Sequence, residues 1–285
     1  MQWQEVEKAF HRALTHAISK KKFLFISPLL LASGLLVVFC RAASLEAHSW
    51  IFLSLAFLPI FFITGVFLAG GVFITRIYYN EIREQPLQLW KLLQQSLQQL
   101  LEASYLSIPL IIAYLCLWAL LGVFYLLRAI PGIGGVMSIL FSFGPFLLVS
   151  SFLMLAVISL LSLFFVTPHI ALKGKIHLAI AEEIFSRLKA SIFSNTLLFF
   201  LGLMPIVLST GFLTLAAIVT DMKYLTGESL IGISFEWFFI MVPFSLLLTP
   251  AVIFFFNFAT ESFLLLQKKK KGSAALSEEE CVPLS

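Results

Sequence analysis

The sequence predicts an all-α, polytopic integral membrane protein with six transmembrane helices, arranged as three repeats of an amphipathic helix followed by a helical hairpin. Three observations carry that reading. Of 285 residues, 60% are hydrophobic and only 12% charged, with a mean hydropathy of +1.00, which no water-soluble domain of this size sustains. Apolar runs of spanning length recur six times. Charged, helically periodic stretches separate pairs of those runs.

Each run must be helical, because an open strand in lipid leaves backbone groups unpaired. The expected spans are Phe23 to Cys40, Trp50 to Ile74, Tyr105 to Leu127, Phe146 to Thr167, Thr196 to Thr220 and Trp237 to Leu266. Together they make one membrane domain over 1–271, with repeats at about 2–80, 81–174 and 175–271 and a disordered cytoplasmic tail at 272–285. When the loops are assigned alternately to two sides, sixteen of the nineteen Lys and Arg residues fall on one side. Only Arg41, Arg128 and Lys223 fall on the other. By the positive-inside rule both termini are cytoplasmic. The basic residues are thereby topology signals, and nucleic acid is not an expected partner.

From Gln2 to Ser19, Trp3, Val6, Phe10, Ala13, Leu14, Ala17 and Ile18 recur at helical spacing among charged residues. This first surface helix is expected to lie along the membrane, with Lys20, Lys21 and Lys22 at the headgroups before the first span. Read as a signal peptide, the N-terminus fails: its apolar run is too long and an amphipathic helix with Glu5 and Glu7 precedes it. Span one holds Pro28. Span two holds Pro59 and the glycines Gly65, Gly70 and Gly71, which permit close helix approach.

The second surface helix starts near Pro86, with Trp90, Leu93, Leu97, Leu100 and Leu101 on its apolar face. Span three carries Pro109 and Cys116. The turn Pro131-Gly132-Ile133-Gly134-Gly135 lacks the Lys-Ser/Thr of a phosphate loop. The apolar run Val136 to Thr167 exceeds one crossing, and Gly144-Pro145 is expected to break it. A third surface helix, running from Pro168 to Asn195, sets Ile180, Ile184, Phe185, Leu188 and Ile192 against Glu182, Glu183, Arg187 and Lys189. Spans five and six follow with Pro205, Pro243 and Pro250.

Spacing supports the threefold repeat. From the aromatic anchor of each surface helix to the next proline is 18 residues for Phe10 to Pro28, 19 for Trp90 to Pro109 and 20 for Phe185 to Pro205. Every copy starts and ends on one side, so the repeats are parallel rather than inverted. The proline at the inner end of a span, then Ala171-Leu172, Gly174 and a helix with Ser186, Arg187 and Ser191, resembles the YciC-like family, which includes the membrane domain of some glycerophosphodiester phosphodiesterases. The likeness covers most of the chain in layout and is motif-level from Pro168 to Phe193, where the family's acidic-then-alanine order is changed to Ala181-Glu182-Glu183. The resemblance implies paired spans joined by cytoplasmic amphipathic helices. No phosphodiesterase catalytic domain lies within these residues, so that activity is not implied.

Ionisable groups inside spans are the strongest functional pointers in a membrane protein. Of fifteen acids and nineteen bases only Glu261 lies clearly inside, seven residues before Lys268. With Asn257 and Thr260 it forms the candidate polar contact site, expected to snorkel to the headgroups or to pair with Lys268. Lys20, Lys21, Lys22, Arg187 and Lys189 are candidate contacts for anionic headgroups or a protein partner. No nucleophile elbow, zinc pair or intramembrane aspartate pair is present, the histidines form no ligand set, and no catalytic, metal or cofactor site is expected. The leading expectation is a non-enzymatic scaffold or accessory protein of a bacterial cytoplasmic membrane, with lipids and a cytoplasmic or membrane protein as partners. The alternative is a transporter or lipid-handling permease for an apolar substrate.

Overall fold

A computed structural model describes residues 3–44, 49–84, 111–127, 143–173, 192–224 and 230–279, and residues 94, 109 and 130 besides. Among the described residues there is no strand. The first helix, α1 (Trp3–Thr15), ends in a short 3-10 turn, His16–Ile18, and the extended Ser19 (ψ 124°) redirects the chain into α2 (Lys20–Ser44). Then come α3 (Ser49–Ile82), α4 (Ile111–Leu127), α5 (Gly144–Lys173), α6 (Ile192–Tyr224) and α7 (Leu230–Glu279).

Five of these helices are long and apolar enough to cross a membrane, over Lys20–Ser44, Leu58–Ile82, Gly144–Leu172, Phe193–Thr220 and Phe235–Lys268. Helix α4 is also apolar but shorter, about 26 Å at 1.5 Å per residue. It is the described part of the expected third span. The second surface helix, apart from residue 94, the middle of the third, 174–191, and the glycine turn lie outside the described residues.

Proline does not end these helices. Pro28, Pro59, Pro168, Pro205, Pro243 and Pro250 all stand inside continuous helix. Helix α5 starts at Gly144, so Pro145 sits in its first turn, where the missing N–H costs nothing. Pro168, expected to open a new surface helix, instead lies within α5, which runs on to Lys173. In an apolar, packed setting the alternative to a helix is unpaired backbone, and that outweighs a proline kink. Helix α7 likewise continues to Glu279, into the segment expected to be disordered, through the helix-favouring Ala274-Ala275-Leu276.

Helices α3, α5 and α7 touch one another, and the remaining spans lie in the grooves between them. Helix α2 packs on α3 and α7. Helix α6 packs on α7, and its Phe199 meets Phe164 of α5 with ring centroids 5.7 Å apart. Helix α4 lies on α5 through Tyr114 and Phe152, whose centroids are 5.6 Å apart, and reaches Leu58 of α3. The main core is aromatic: Phe164, Phe254, Phe255, Phe256 and Phe258 are almost fully buried around α7. Offset and edge-to-face contacts between such rings add to simple area burial.

Glycines set how closely the helices approach. A Cβ on Gly70 would lie 2.8 Å from Leu29 of α2, one on Gly202 would lie 2.7 Å from Phe164, and one on Gly71 would strike the Phe256 ring. Gly65, read from sequence as part of the same set, faces open space. Gly71→Val should therefore destabilise the protein by roughly 1–3 kcal/mol through overpacking, whereas Gly65→Ala should be neutral or stabilising by up to about 1 kcal/mol. Thermal denaturation of both variants in one detergent checks the contrast.

Candidate functional site

The apolar residues of α1 are too many for one face. Val6, Ala9, Ala13 and Ala17 are buried at 3% exposure or less, and Phe10 meets Phe254 and Phe258 edge-on at 4.9 and 5.8 Å. These residues seat α1 on α7. Trp3, Leu14 and Ile18 point away from the bundle and are 63%, 48% and 82% exposed. The face expected to lie on lipid is thus divided: Val6, Ala9, Phe10, Ala13 and Ala17 hold the bundle, and Trp3, Leu14 and Ile18 flank it.

Beneath this seat is a polar cluster built from four elements. Lys22 is fully buried, and its Nζ lies 2.6 Å from Glu81 Oε2 of α3, 3.4 Å from the His16 carbonyl and 3.5 Å from Asn257 Oδ1 of α7. Its three N–H groups thus have three oxygens within reach, and the ammonium stands 4.6 Å from the centroid of the Tyr78 ring. The Glu81 carboxylate also accepts from the Ser19 hydroxyl at 3.3 Å and has His16 Nδ1 at 3.9 Å.

Glu261, 4% exposed, accepts from the Tyr78 hydroxyl at 2.8 Å and from Arg12 at 3.4 Å. Asn257, one turn before it on α7, donates to the Ala13 carbonyl at 3.3 Å, at the close of α1. Thr260 donates to the Phe256 carbonyl at 2.8 Å, and its oxygen lies 3.3 Å from the Thr75 hydroxyl on α3. Asn257, Thr260 and Glu261 thus lie within two turns of α7 and face α1, α2 and α3.

Two expectations are corrected. Lys22 is not at a headgroup but inside the bundle, because α2 turns it toward Glu81 and Asn257 while Lys20 and Lys21 remain exposed. Glu261 neither snorkels nor pairs with Lys268: Arg12 and Tyr78 hold it, and Lys268 lies 3.8 Å from Glu5 of α1. Arg187 and Lys189 lie outside the described residues. Tyr78 and Glu81 are not singled out by the sequence. Their spacing of three, one helical turn, was the available signal that they share a face.

A second buried polar group lies across α7. Thr167, His169, Asn195 and Ser262 are each 3% exposed or less. His169 stacks edge-on with Phe263 at 5.6 Å, and Arg76 donates from Nε to the Ala171 carbonyl at 3.3 Å. Among the described residues no three His, Cys, Asp or Glu side chains gather as a metal would require.

Two hollows adjoin α1. One of about 340 Å³ lies between α1 and α7, lined by Glu5, Lys8, Arg12, Glu261 and Lys268 above apolar Ala9, Leu264 and Leu265. The other, shallow and about 770 Å³, runs along the outer face past Gln4, Glu7, Lys8, His11, Arg12, Thr15 and His16. At the opposite end of the bundle an apolar cleft of about 250 Å³ opens between α2, α6 and α7, with Arg41 at its rim.

No protein family, curated protein or solved structure matches this chain.

Removing one member of a buried ion pair strands the other. Lys22→Met and Glu81→Leu should each cost on the order of 3 kcal/mol. The double variant should cost about 1–3 kcal/mol less than the sum of the two. Chemical denaturation of the four proteins in mixed micelles gives the cycle, and strict additivity would contradict the pairing.

Proposed function

We propose that the chain is a non-enzymatic scaffold or accessory protein of a bacterial cytoplasmic membrane, and that the outer face of α1 is its contact surface for a protein partner. One observation carries this reading: α1 is fixed to the bundle by buried charges, and a mixed-charge face is left outward. A helix that served only to anchor the chain would need neither Glu261 nor Lys22, since its small apolar face and the adjoining spans suffice. Holding it rigid lowers the ordering cost of a partner's binding. The face offers Glu7, Lys8, His11 and Thr15 together, which suits a polar protein surface of mixed charge.

The reading extends to topology. Six spans in three parallel repeats, with both termini cytoplasmic, agree with the packing of α2, α4 and α6 each against two of α3, α5 and α7. Among the described residues it agrees also with the place of Lys8, Arg12, Lys20, Lys21, Lys22 and Lys268 at the α1 end. Kinship with the YciC-like family would account for the same layout. Exposed Lys20 and Lys21 follow α1 directly and serve as headgroup contacts. The lipid-handling alternative would draw on the cleft at the far end. That cleft spans only about a turn of each helix, Val37 to Arg41, Ala217 to Ile218 and Trp237 to Met241.

Native mass spectrometry of the gently solubilised protein, expressed in its own host, tests the proposal. A second polypeptide at fixed stoichiometry is expected, and it should be lost when Glu7, Lys8, His11 and Thr15 are all replaced by Ala. A chain that carries no polypeptide in any preparation, or one whose partner survives those replacements, would overturn it.

A further inference from the structure

We propose that the hollow between α1 and α7 binds a phosphoethanolamine group, carried as the headgroup of one phosphatidylethanolamine in the leaflet at the α1 end. The lining mixes signs: Glu5, Lys8 and Arg12 come from α1, and Glu261 and Lys268 from α7. A ligand with a charge of one sign would meet like charges on part of that lining, at a cost in so confined a place. A zwitterion meets an opposite charge at both of its ends.

The protein leaves two groups of the lining unanswered. Glu261 is 4% exposed, and its Oε1 takes both the Tyr78 hydroxyl and Arg12, so its Oε2 has no donor among the described residues. A carboxylate buried to that degree ordinarily has both oxygens engaged. The second group is Lys8, which makes no ion pair among the described residues, whereas Arg12 answers Glu261. Lys268 stands 3.8 Å from Glu5, too far for a hydrogen bond, so this pair yields easily to a ligand. A primary ammonium brings three N–H groups for Glu261 Oε2 and Glu5, and phosphate oxygens accept from Lys8 and Lys268.

The position of the hollow says what carries the group. The membrane-crossing part of α7 ends at Lys268, so Glu261 to Lys268 form about its last two turns, the level of the headgroups. Ala9, Leu264 and Leu265 give the hollow an apolar side, and its volume of about 340 Å³ suits a headgroup. Acyl chains gain little from the protein, because the competing surroundings are equally apolar, and selectivity must come from the headgroup. Phosphatidylcholine has the same phosphate, but its quaternary ammonium has no N–H for Glu261. Phosphatidylglycerol brings no cation for Glu261 and Glu5. The site thus favours phosphatidylethanolamine over both, and it does not depend on the scaffold reading.

The test uses full-length protein equilibrated in mixed micelles with equal amounts of phosphatidylethanolamine, phosphatidylcholine and phosphatidylglycerol of one acyl composition, then native mass spectrometry. Wild type should retain one phosphatidylethanolamine, preferred about tenfold over either competitor, the worth of one charge-assisted hydrogen bond. Glu261→Gln should abolish the preference over phosphatidylcholine and Glu5→Gln should reduce it. Lys8→Gln should lower the retention of phosphatidylethanolamine and phosphatidylcholine alike. Leu264→Trp, which fills the hollow without touching a charge, should expel the lipid, and with Glu5→Gln it decides the matter if Glu261→Gln does not fold. Soluble O-phosphoethanolamine in excess should displace the lipid. Its binding where no lipid is retained would keep the site and make the free compound the source of the group. Equal retention of the three lipids by wild type, a preference for phosphatidylglycerol, an undiminished preference in Glu5→Gln, or a lipid still held by Leu264→Trp would overturn the site. Replacing Glu7, His11 and Thr15 by Ala should leave the lipid in place. A spectrum with the lipid but no second polypeptide would leave this site standing and defeat only the scaffold reading.

Discussion

A buried charge must have a partner, and the α1 end of this protein is arranged around that constraint. Lys22 is fully enclosed, and an isolated ammonium in such a place would cost several kcal/mol. Its partner Glu81 comes from the end of α3, so α2 and α3 are held in one register there. The His16 carbonyl and Asn257 complete the set, and they belong to the turn after α1 and to α7. One ammonium therefore ties together every element that reaches this end of the described bundle except α5 and α6. The seat of α1 follows: the Ala13 carbonyl and Arg12 are parts of the same network, and moving α1 would take from Asn257 the acceptor of its amide and from Glu261 its guanidinium partner.

Helix α7 is the element that makes the network possible. It touches α1, α2, α3, α5 and α6, and its residues 254 to 261 alternate phenylalanines with polar groups around the helix. Phe254 and Phe258 face α1, Phe255 faces Phe164 of α5, and Phe256 faces Gly71 of α3. Asn257, Thr260 and Glu261 then fall on the sectors toward α1, α2 and α3. Aromatic packing sets the distances and the polar groups set the rotation. Neither does the other's work: in lipid, apolar packing between helices is weakly directional, whereas a hydrogen bond to Tyr78 or Ala13 is not.

How much of this was legible in the sequence depends on whether a feature was local. Span lengths follow from apolar run length, so five spanning helices and the amphipathic α1 were readable. Glu261 was readable because a carboxylate inside an apolar run is conspicuous, and Asn257 follows from the four-residue spacing. Lys22 was not. In Lys20-Lys21-Lys22 the three side chains are chemically alike, and successive helical residues diverge by about 100°. Only the position of α3 and α7 decides which one is swallowed. Tyr78 resembled an interfacial anchor for the same reason, and Pro168 resembled a boundary because a proline's local preference is to end a helix. In each case tertiary packing overrode a local signal.

The two ends of the bundle differ in a way that bears on what each can do. At the α1 end Lys22 and Glu81, and Arg12 and Glu261, answer one another within the same chain, with Tyr78 and Asn257 completing the network. At the far end an apolar cleft opens between α2, α6 and α7, with the Arg41 guanidinium over the Trp237 ring at its rim. The two ends thus do different work in the fold: a polar network fixes the rotation of α1, α2, α3 and α7 at one, and helix packing leaves a lateral apolar opening at the other.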